Sequence, residues 1–280
     1  MTETLTNQRF TFCSAEELDP VKTFDCGQCF RWNADARGAY IGVASGRAAR
    51  VSEENGIVSL ETCERDLPFW RVYFDMDTDY KAARASVESC DYMRECAEYG
   101  AGIRILRQDG WEALCSFIIS QCNNIPRIKG IVEKLCALYG EPLSFCGETL
   151  YTFPSAERIA LLDESDLAPL RSGYRAEYII AAARAVADGS FDLNAAAAMP
   201  CDEARAALKS LRGVGDKVAN CAVLFGLHRM DAFPVDTWMK KALKAHFPPD
   251  FNPESLGEYA GLAQQYIFYH ARSGADSNNC

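Results

Sequence analysis

A lysine and a carboxylate stand at a fixed spacing in the second half of the chain and could share one reaction. Lys217 directly follows the turn 213–216, and Asp236 lies nineteen residues further on. A neutral lysine amine is a nucleophile, and a carboxylate can stabilise positive charge that develops on the carbon under attack. Two simpler roles compete: Lys217 could contact a phosphate at the surface, and Asp236 could only cap the helix predicted from Thr237.

The turn before the lysine predicts phosphate binding. Gly213 and Gly215 flank Val214, so the backbone can turn through positive φ and approach another molecule closely. The apolar segment 218–225 predicts a buried helix immediately afterwards, and its first N–H groups would bind an anion. Two helices joined by such a hairpin can hold a nucleic-acid backbone without reading bases.

The elements that must position these residues fall into two parts. Short strand-like segments with turn residues between them precede a long helical region that begins near Tyr80. The Asn55-Gly56 dipeptide predicts a hairpin turn. We predict strands at 10–12, 29–32, 40–44 and 57–60, and helices at 111–121, 128–139, 175–187, 202–211, 217–227, 237–247 and 256–270. The fold class is therefore α+β: a small antiparallel β-sheet domain (1–97) packed on a mostly α-helical domain (98–272), followed by a flexible tail (273–280).

Composition places the chain among globular proteins, with 49% hydrophobic and 24% charged residues in 280. It contains no apolar run long enough to span a membrane and no signal peptide, so we expect a cytoplasmic protein. The thirteen cysteines are odd in number and lie mostly in apolar helical patterns, where they act as small hydrophobes. Cys26 and Cys29 form a C-x-x-C pair, but no second pair supports a metal or redox site.

The net charge of −10 is unfavourable for binding a nucleic acid, which is itself negatively charged. Residues 1–99 contain 18 acidic and 11 basic side chains and account for −7 of it, so the helical part is nearly balanced. Nucleic-acid binding requires a local basic face and not a basic total. We therefore expect DNA binding with modest non-specific affinity.

Several segments resemble the 8-oxoguanine DNA glycosylases of the helix-hairpin-helix, Gly/Pro…Asp superfamily, in bacterial form, and occur in that family's order over roughly residues 20–270. They are the hairpin with Lys217 and Asp236, 27–32, 73–77, the asparagine-rich 117–127, 173–176, and 261–264 with Phe268. The resemblance implies a bifunctional DNA glycosylase/AP lyase that excises 8-oxoguanine from duplex DNA through a lysine Schiff base and cleaves the strand by β-elimination. It implies a monomer, associated with the nucleoid, that uses no cofactor.

The same resemblance assigns roles to individual residues. Lys217 and Asp236 would be catalytic, and the base pocket would consist of Gly27, Cys221, Gln264 and Phe268. The Gly27 carbonyl would accept the N7–H that distinguishes 8-oxoguanine from guanine, and the Gln264 amide suits the Watson–Crick edge. DNA and the orphaned base would contact Cys122, Asn123, Asn124, Arg127, Tyr174 (the wedge), Arg175, Gly213, Val214 and Gly215. No catalytic metal is implied, but a monovalent cation could bind the backbone of Lys209, Leu211 and Val214.

Three departures from the family pattern matter. Arg212 stands where the family often has proline, and Cys122 replaces the first of three asparagines, which should soften the preference for cytosine opposite the lesion. Only Cys280 follows Asp236, so the four-cysteine iron–sulfur cluster of endonuclease III cannot form in its usual place. Two alternatives remain: a glycosylase of the same fold for another damaged base, and a non-catalytic helix-hairpin-helix DNA-binding protein.

Overall fold

The computed structural model describes residues 7–273, apart from the side chain of Glu254. The N-terminal part contains a five-stranded antiparallel sheet in the order β1-β5-β4-β3-β2. Its strands are β1 Asn7–Ser14, β2 Trp32–Ala34, β3 Tyr40–Ala44, β4 Arg47–Glu54 and β5 Ile57–Cys63. The predicted small antiparallel sheet is confirmed.

The hairpin between β4 and β5 turns at the predicted dipeptide. Asn55 and Gly56 both adopt positive φ, 53° and 78°, which the tight turn between two twisted strands requires. Strand β4 was missed because its sequence, Arg-Ala-Ala-Arg, contains residues that are common in helices. The β3 side of the sheet packs closely on Trp32: a Cβ at Gly42 would lie 2.3 Å from its indole ring.

Helices make up most of the remaining chain, and one small hairpin, β6 Pro142–Phe145 with β7 Glu148–Tyr151, interrupts them. This hairpin was not predicted. The helices are α1 Pro20–Asp25, α2 Leu67–Tyr73, α3 Tyr80–Val87, α4 Asp91–Tyr99, α5 Gly110–Ile119, α6 Ile125–Tyr139, α7 Ala156–Ala160, α8 Arg175–Ala187, α9 Leu193–Ala198, α10 Cys201–Leu208, α11 Asp216–Cys221, α12 Thr237–His246 and α13 Ala260–Ser273. The α+β class is confirmed.

The helix predicted over 217–227 changes its winding halfway. Helix α11 continues into a π-helical turn, Ala222–Gly226, a local widening that is frequent at functional sites. At the end of this turn Gly226 lies against α5, so closely that a Cβ there would be 2.9 Å from the Cβ of Ala113. The π-helical turn therefore packs along α5, with Gly226 near the start of that helix and Phe225 against Phe117 near its end.

The two parts share a hydrophobic core. Buried Cys26 and Phe30 from the N-terminal part belong to the same cluster as Met93, Cys96 and the helical residues. The domain boundary at 97/98 stays a prediction, and it falls inside α4. Of the predicted tail 273–280, only Ser273, the last residue of α13, is described.

A buried carboxylate ties the parts together. Asp75 accepts hydrogen bonds from Arg107 (2.7 Å) and Tyr80 (2.9 Å), and its carboxylate lies 3.4 Å from His228. Burial alone would raise the pKa of Asp75, but these contacts hold it well below its usual range. The carboxylate therefore stays charged and links α2, α3 and the segment after the π-helical turn.

In the part of the chain that is described, no helix combines the length and the apolar character that a membrane span requires.

Candidate active site

The two glycines of the hairpin between α10 and α11 differ in backbone conformation and in the space around them. Gly213 has φ +79°, and a Cβ there would lie 2.2 Å from the Tyr178 ring. Gly215 is extended (φ −94°), so the expectation of positive φ there is wrong. No atom of the chain lies within 4 Å of a Cβ built on Gly215. The open space at this helix N-terminus is available to a partner molecule.

Lys217 is half-buried on the first turn of α11 and is held from the end of α5. Its Nζ lies 2.7 Å from Ser120 Oγ and 5.2 Å from the centre of the Phe117 ring. One turn later, Cys221 is buried, and burial raises the pKa of its thiol while Lys217 opposes the shift. The amine thus has defined neighbours on one side and the cavity on the other.

Asp236 caps α12, which is the simpler of the two roles considered for it. Its Oδ1 accepts the N–H of Met239 at 2.9 Å, which fixes the carboxylate at the helix start. Lys217 and Asp236 line one cavity of about 770 Å³, and within residues 7–273 no ion pair joins them. The cap and a role in the cavity are compatible, because Oδ2 makes no hydrogen bond to the described residues.

Gly27 and Phe268 form another wall of this cavity. Gly27 has φ +81°, and a Cβ there would lie 3.2 Å from Ile125 Cδ1 and 3.3 Å from Phe268 Cε1. The carbonyls on either side are occupied: Gln265 donates to that of Cys26 (2.6 Å) and Gln108 to that of Gln28 (2.7 Å). The Gly27 carbonyl accepts no hydrogen bond from the described residues, so it is an available acceptor.

Two of the predicted pocket residues, Cys221 and Gln264, lie behind the cavity wall and not on it. Gln264 is 5% exposed, so it is a buried residue of α13 and not a solvated one. Its Oε1 is buried and has no hydrogen-bond partner among the described residues. An unpaired buried amide oxygen is costly, and a bound base edge would satisfy it.

The asparagine-rich segment forms the rim of the cavity. Cys122 is exposed at φ +46°, and its thiol contacts the hydroxyl of the half-exposed Tyr174. Asn124 caps α6 by accepting the N–H of Arg127 at 3.0 Å, and Asn123 donates to the Ile119 carbonyl at 3.2 Å. These asparagines therefore shape the loop, and both amides keep hydrogen-bonding capacity.

The two candidate arginines differ in environment. Arg127 is exposed and donates to the Arg171 carbonyl at 3.3 Å. Arg175 is 5% exposed and donates to the carbonyls of Ser172 (3.0 Å), Cys122 (3.2 Å) and Gln121. Arg175 thus holds the rim loop from within, while Arg127 is free to meet a partner.

The carbonyls proposed for a monovalent cation retain the necessary capacity. Those of Lys209 and Val214 accept no hydrogen bond from the described residues, and that of Leu211 accepts one, from the Val214 N–H at 3.1 Å. Each oxygen keeps a lone pair, and oxygen ligands suit a hard cation. The hairpin backbone therefore has acceptors available for such an ion, and the cation site stays a prediction.

Sequence reasoning missed several residues that shape the cavity. Trp238 lines it and is 40% exposed, and Arg272 lines it beside Phe268. Ser120 and Phe117 contact Lys217 from α5. A large aromatic residue two positions after Asp236 could have been noticed, because it lies in the first turn of the helix that Asp236 caps. The Ser120 contact joins residues far apart in sequence and left no signal.

Comparison with known proteins defines the class. The family model of the 8-oxoguanine DNA glycosylase N-terminal domain matches residues 11–114, and that of the HhH-GPD superfamily base excision DNA repair proteins matches residues 115–257. Together with the hairpin, the lysine and the cavity, these matches define a base-excision DNA repair enzyme.

Individual relatives narrow the class. A probable N-glycosylase/DNA lyase of Methanothermobacter thermautotrophicus is 33% identical over 201 residues, 61% of this chain and 64% of that protein. The structure of MBOgg1 with a low-affinity DNA ligand has a TM-score of 0.89 and 36% identity, and covers 97% of both chains. The Clostridium acetobutylicum 8-oxoguanine glycosylase/lyase, solved with DNA containing cytosine opposite 8-oxoG, has a TM-score of 0.87 and 32% identity, covering 98% of this chain and 99% of that one. The chain belongs to the 8-oxoguanine DNA glycosylases of the HhH-GPD superfamily.

Proposed function

We propose that this chain excises 8-oxoguanine from duplex DNA and then cleaves the strand, with Lys217 as the nucleophile. The observation that carries the proposal is the cavity that Lys217, Asp236 and Gly27 share. It brings together an amine, a carboxylate and an unpaired backbone acceptor. Each corresponds to one requirement of the reaction: attack on the sugar, stabilisation of its charge and recognition of the base.

The reaction follows from the chemistry of these groups. The target nucleotide must leave the base stack, because C1′ is shielded within the duplex. The Nζ lone pair forms a bond to C1′ while the C1′–N9 bond breaks and its electron pair leaves with the base. Asp236 stabilises the positive charge on the sugar. The nitrogen then loses a proton, and the C1′–O4′ bond breaks as the C=N bond of the imine forms and O4′ takes up a proton. The imine acidifies C2′, and loss of a C2′ proton breaks the C3′–O3′ bond, which releases the 3′ phosphate and cleaves the strand.

Base recognition uses the two unpaired polar atoms of the site. The Gly27 carbonyl can accept the N7–H of 8-oxoguanine, whereas guanine presents a lone pair there and would be repelled. The Gln264 amide lies deeper and would pair with the Watson–Crick edge, with Phe268 and Cys221 on the two faces of the ring. Phe268 now packs against Gly27, so an entering base must move this ring.

Borohydride trapping tests the proposal directly. With a duplex that contains 8-oxoguanine opposite cytosine, we expect a covalent protein–DNA adduct, because borohydride reduces the Schiff base between lysine and sugar to a stable amine. The undamaged duplex should yield none. Binding of DNA without an adduct would favour the non-catalytic alternative, and an adduct only with other lesions would favour a glycosylase of different specificity.

We expect Gln264→Ala to weaken discrimination of the base edge by roughly 1–3 kcal/mol, the cost of leaving a buried polar group unpaired. The measurement is the single-turnover excision rate of 8-oxoguanine and of other modified purines in the same sequence. An unchanged ratio between substrates would remove Gln264 from the recognition site. Thermal unfolding of the variant provides the control for folding.

We expect Arg127→Ala and Arg175→Ala to differ in their effect on the opposite base. Arg127 is exposed and can donate to O2 and N3 of an orphaned cytosine in a fork, so its loss should flatten the rate profile over the four opposite bases. Arg175 holds the rim loop, so its loss should lower all four rates together. An equal loss over all four bases in Arg127→Ala would show a phosphate contact instead.

Cys122 should also affect the excision rates over the four opposite bases. Because it replaces an asparagine that could donate and accept, cytosine should be preferred by a smaller margin than three intact readers, that asparagine with Arg127 and Arg175, would give. Arg175 was assigned to base reading from the sequence, and that role requires it to exchange its carbonyl contacts for the base.

The same residues indicate the partner and where it binds. We propose duplex DNA as the partner, contacted at the Gly213-Val214-Gly215 hairpin, with Tyr174 inserted where the base leaves. A monovalent cation on the hairpin carbonyls would neutralise a DNA phosphate nearby. We also propose that the protein acts as a monomer and at the nucleoid, where its DNA substrate lies.

A further inference from the structure

The lysine amine is held by a hydroxyl to which the proposed reaction assigns no role. Ser120 follows the last residue of α5, is 7% exposed and lines the cavity. Its Oγ lies 2.7 Å from Lys217 Nζ, and the contact spans 97 residues of sequence. It therefore joins two elements whose relative position decides where the amine points.

The direction of this hydrogen bond is fixed by a second one. The Ser120 hydroxyl donates to the Phe117 carbonyl at 2.7 Å, one of the last carbonyls of α5, which lack an N–H partner within the helix. With its single proton committed, Oγ can only accept from Lys217. An N–H of the lysine must point to Ser120 in the ammonium form and in the neutral amine alike.

A third group on the same helix turn limits the amine further. The Phe117 ring centre lies 5.2 Å from Nζ, a distance at which the ring face attracts N–H groups of an ammonium. Hydroxyl and ring both belong to the end of α5, so they hold the N–H groups on one side. The Cys221 thiol also contacts the amine, from its own helix, and the lone pair of the neutral amine takes a direction that the hydroxyl and the ring leave free.

We propose that Ser120 is a positioning residue that orients the Lys217 lone pair toward C1′ of the flipped nucleotide. The inference rests on the proposed function and adds a residue to it. Ser120 touches neither the substrate nor the bonds that change. It acts by restricting one rotation of the nucleophile, and such restriction contributes to the rate only when the reacting atoms meet.

Because Ser120 orients the amine, its loss should lower the rate of the chemical step and leave the affinity for DNA unchanged. We expect Ser120→Ala to lower the single-turnover rate of adduct formation about 10- to 100-fold, the scale of a small misplacement of reacting atoms. The dissociation constant for lesion DNA should change less than about threefold, because the hydroxyl makes no contact that DNA binding uses. Ser120→Cys keeps nearly the same shape with a much weaker acceptor and should be slow as well. Ser120→Thr retains the hydroxyl and should recover most of the rate.

The matched control is Ser116→Ala, one helical turn earlier on α5. Ser116 is also buried but does not line the cavity, so its variant reports the cost of losing a buried hydroxyl from this helix. We expect it to trap lesion DNA at the wild-type rate. The experiment measures borohydride-trapped adduct over time at saturating enzyme, with affinity measured separately on the same duplex.

Two results would overturn the inference. Full-rate trapping by Ser120→Ala and Ser120→Cys would show that the hydroxyl does not orient the amine. A rate loss matched by weaker DNA binding, or equally present in Ser116→Ala, would show a structural role. If the wild-type chain itself traps no adduct, the proposed function fails and this inference fails with it; wild-type trapping separates the two cases.

Discussion

Lys217→Gln should abolish base excision and strand cleavage together while lesion DNA still binds. Glutamine has nearly the length of lysine and can still donate to Ser120, but its amide nitrogen has no available lone pair. The loss should reach roughly 10⁴-fold or more, the scale seen when a covalent nucleophile is removed from an enzyme. The measurements are single-turnover excision, nicking and borohydride trapping, all on the same duplex.

The control for this change is Lys209→Gln. Lys209 lies at the other end of the same hairpin and pairs with Asp216 at 2.5 Å on the surface, outside the cavity. The Lys209→Gln substitution removes the same charge from the same region as Lys217→Gln. A purely electrostatic contribution to DNA binding would therefore appear in both variants. If Lys217→Gln retained excision and lost only nicking, an activated water and not the lysine would break the glycosidic bond.

Asp236→Asn should lower the rate of excision about 100-fold, in the range found when a group that stabilises transition-state charge is removed. The asparagine side chain still caps α12 by accepting the Met239 N–H, so folding should be preserved. What is lost is the negative charge beside the sugar as it becomes positive. The rate of adduct formation is the measurement, at a pH well above the ordinary pKa of a carboxyl group.

Asp192→Asn is the matched control, because Asp192 caps α9 in the same way, accepting the N–H groups of Asn194 and Ala195. It lies outside the cavity, so this variant should excise at the wild-type rate. Wild-type activity in Asp236→Asn would reduce the carboxylate to its capping role. A loss of thermal stability in both variants would indicate that the cap tolerates the amide poorly.

The fold could be predicted where local pattern and tertiary structure agree. Helix α8 has the predicted bounds because its alanines and its apolar face favour the same element. The Asn55-Gly56 turn followed from its φ requirement alone. Strand β4 and the β6–β7 hairpin could not be predicted, since pairing with a neighbouring strand overrides weak local preference.

The site could be predicted where it depends on one backbone feature or one motif. Lys217 and Asp236 do lie in one cavity, as their spacing implied, and Gly27 has the close contacts that exclude a side chain. The environment of Arg175 and Gln264 could not be foreseen, because burial depends on neighbours from several elements. For the same reason nothing in the sequence indicated the contact between Ser120 and Lys217.

The Tyr178 ring has a consequence for how the protein is placed along a duplex. It packs on Gly213 of the hairpin and, at 5.6 Å between ring centres, edge-on against Tyr174. Arg212 and Glu177 pair at 2.5 Å beside it. One ring therefore packs against both the hairpin and Tyr174, so the distance between these two proposed DNA contacts depends on the size of that ring.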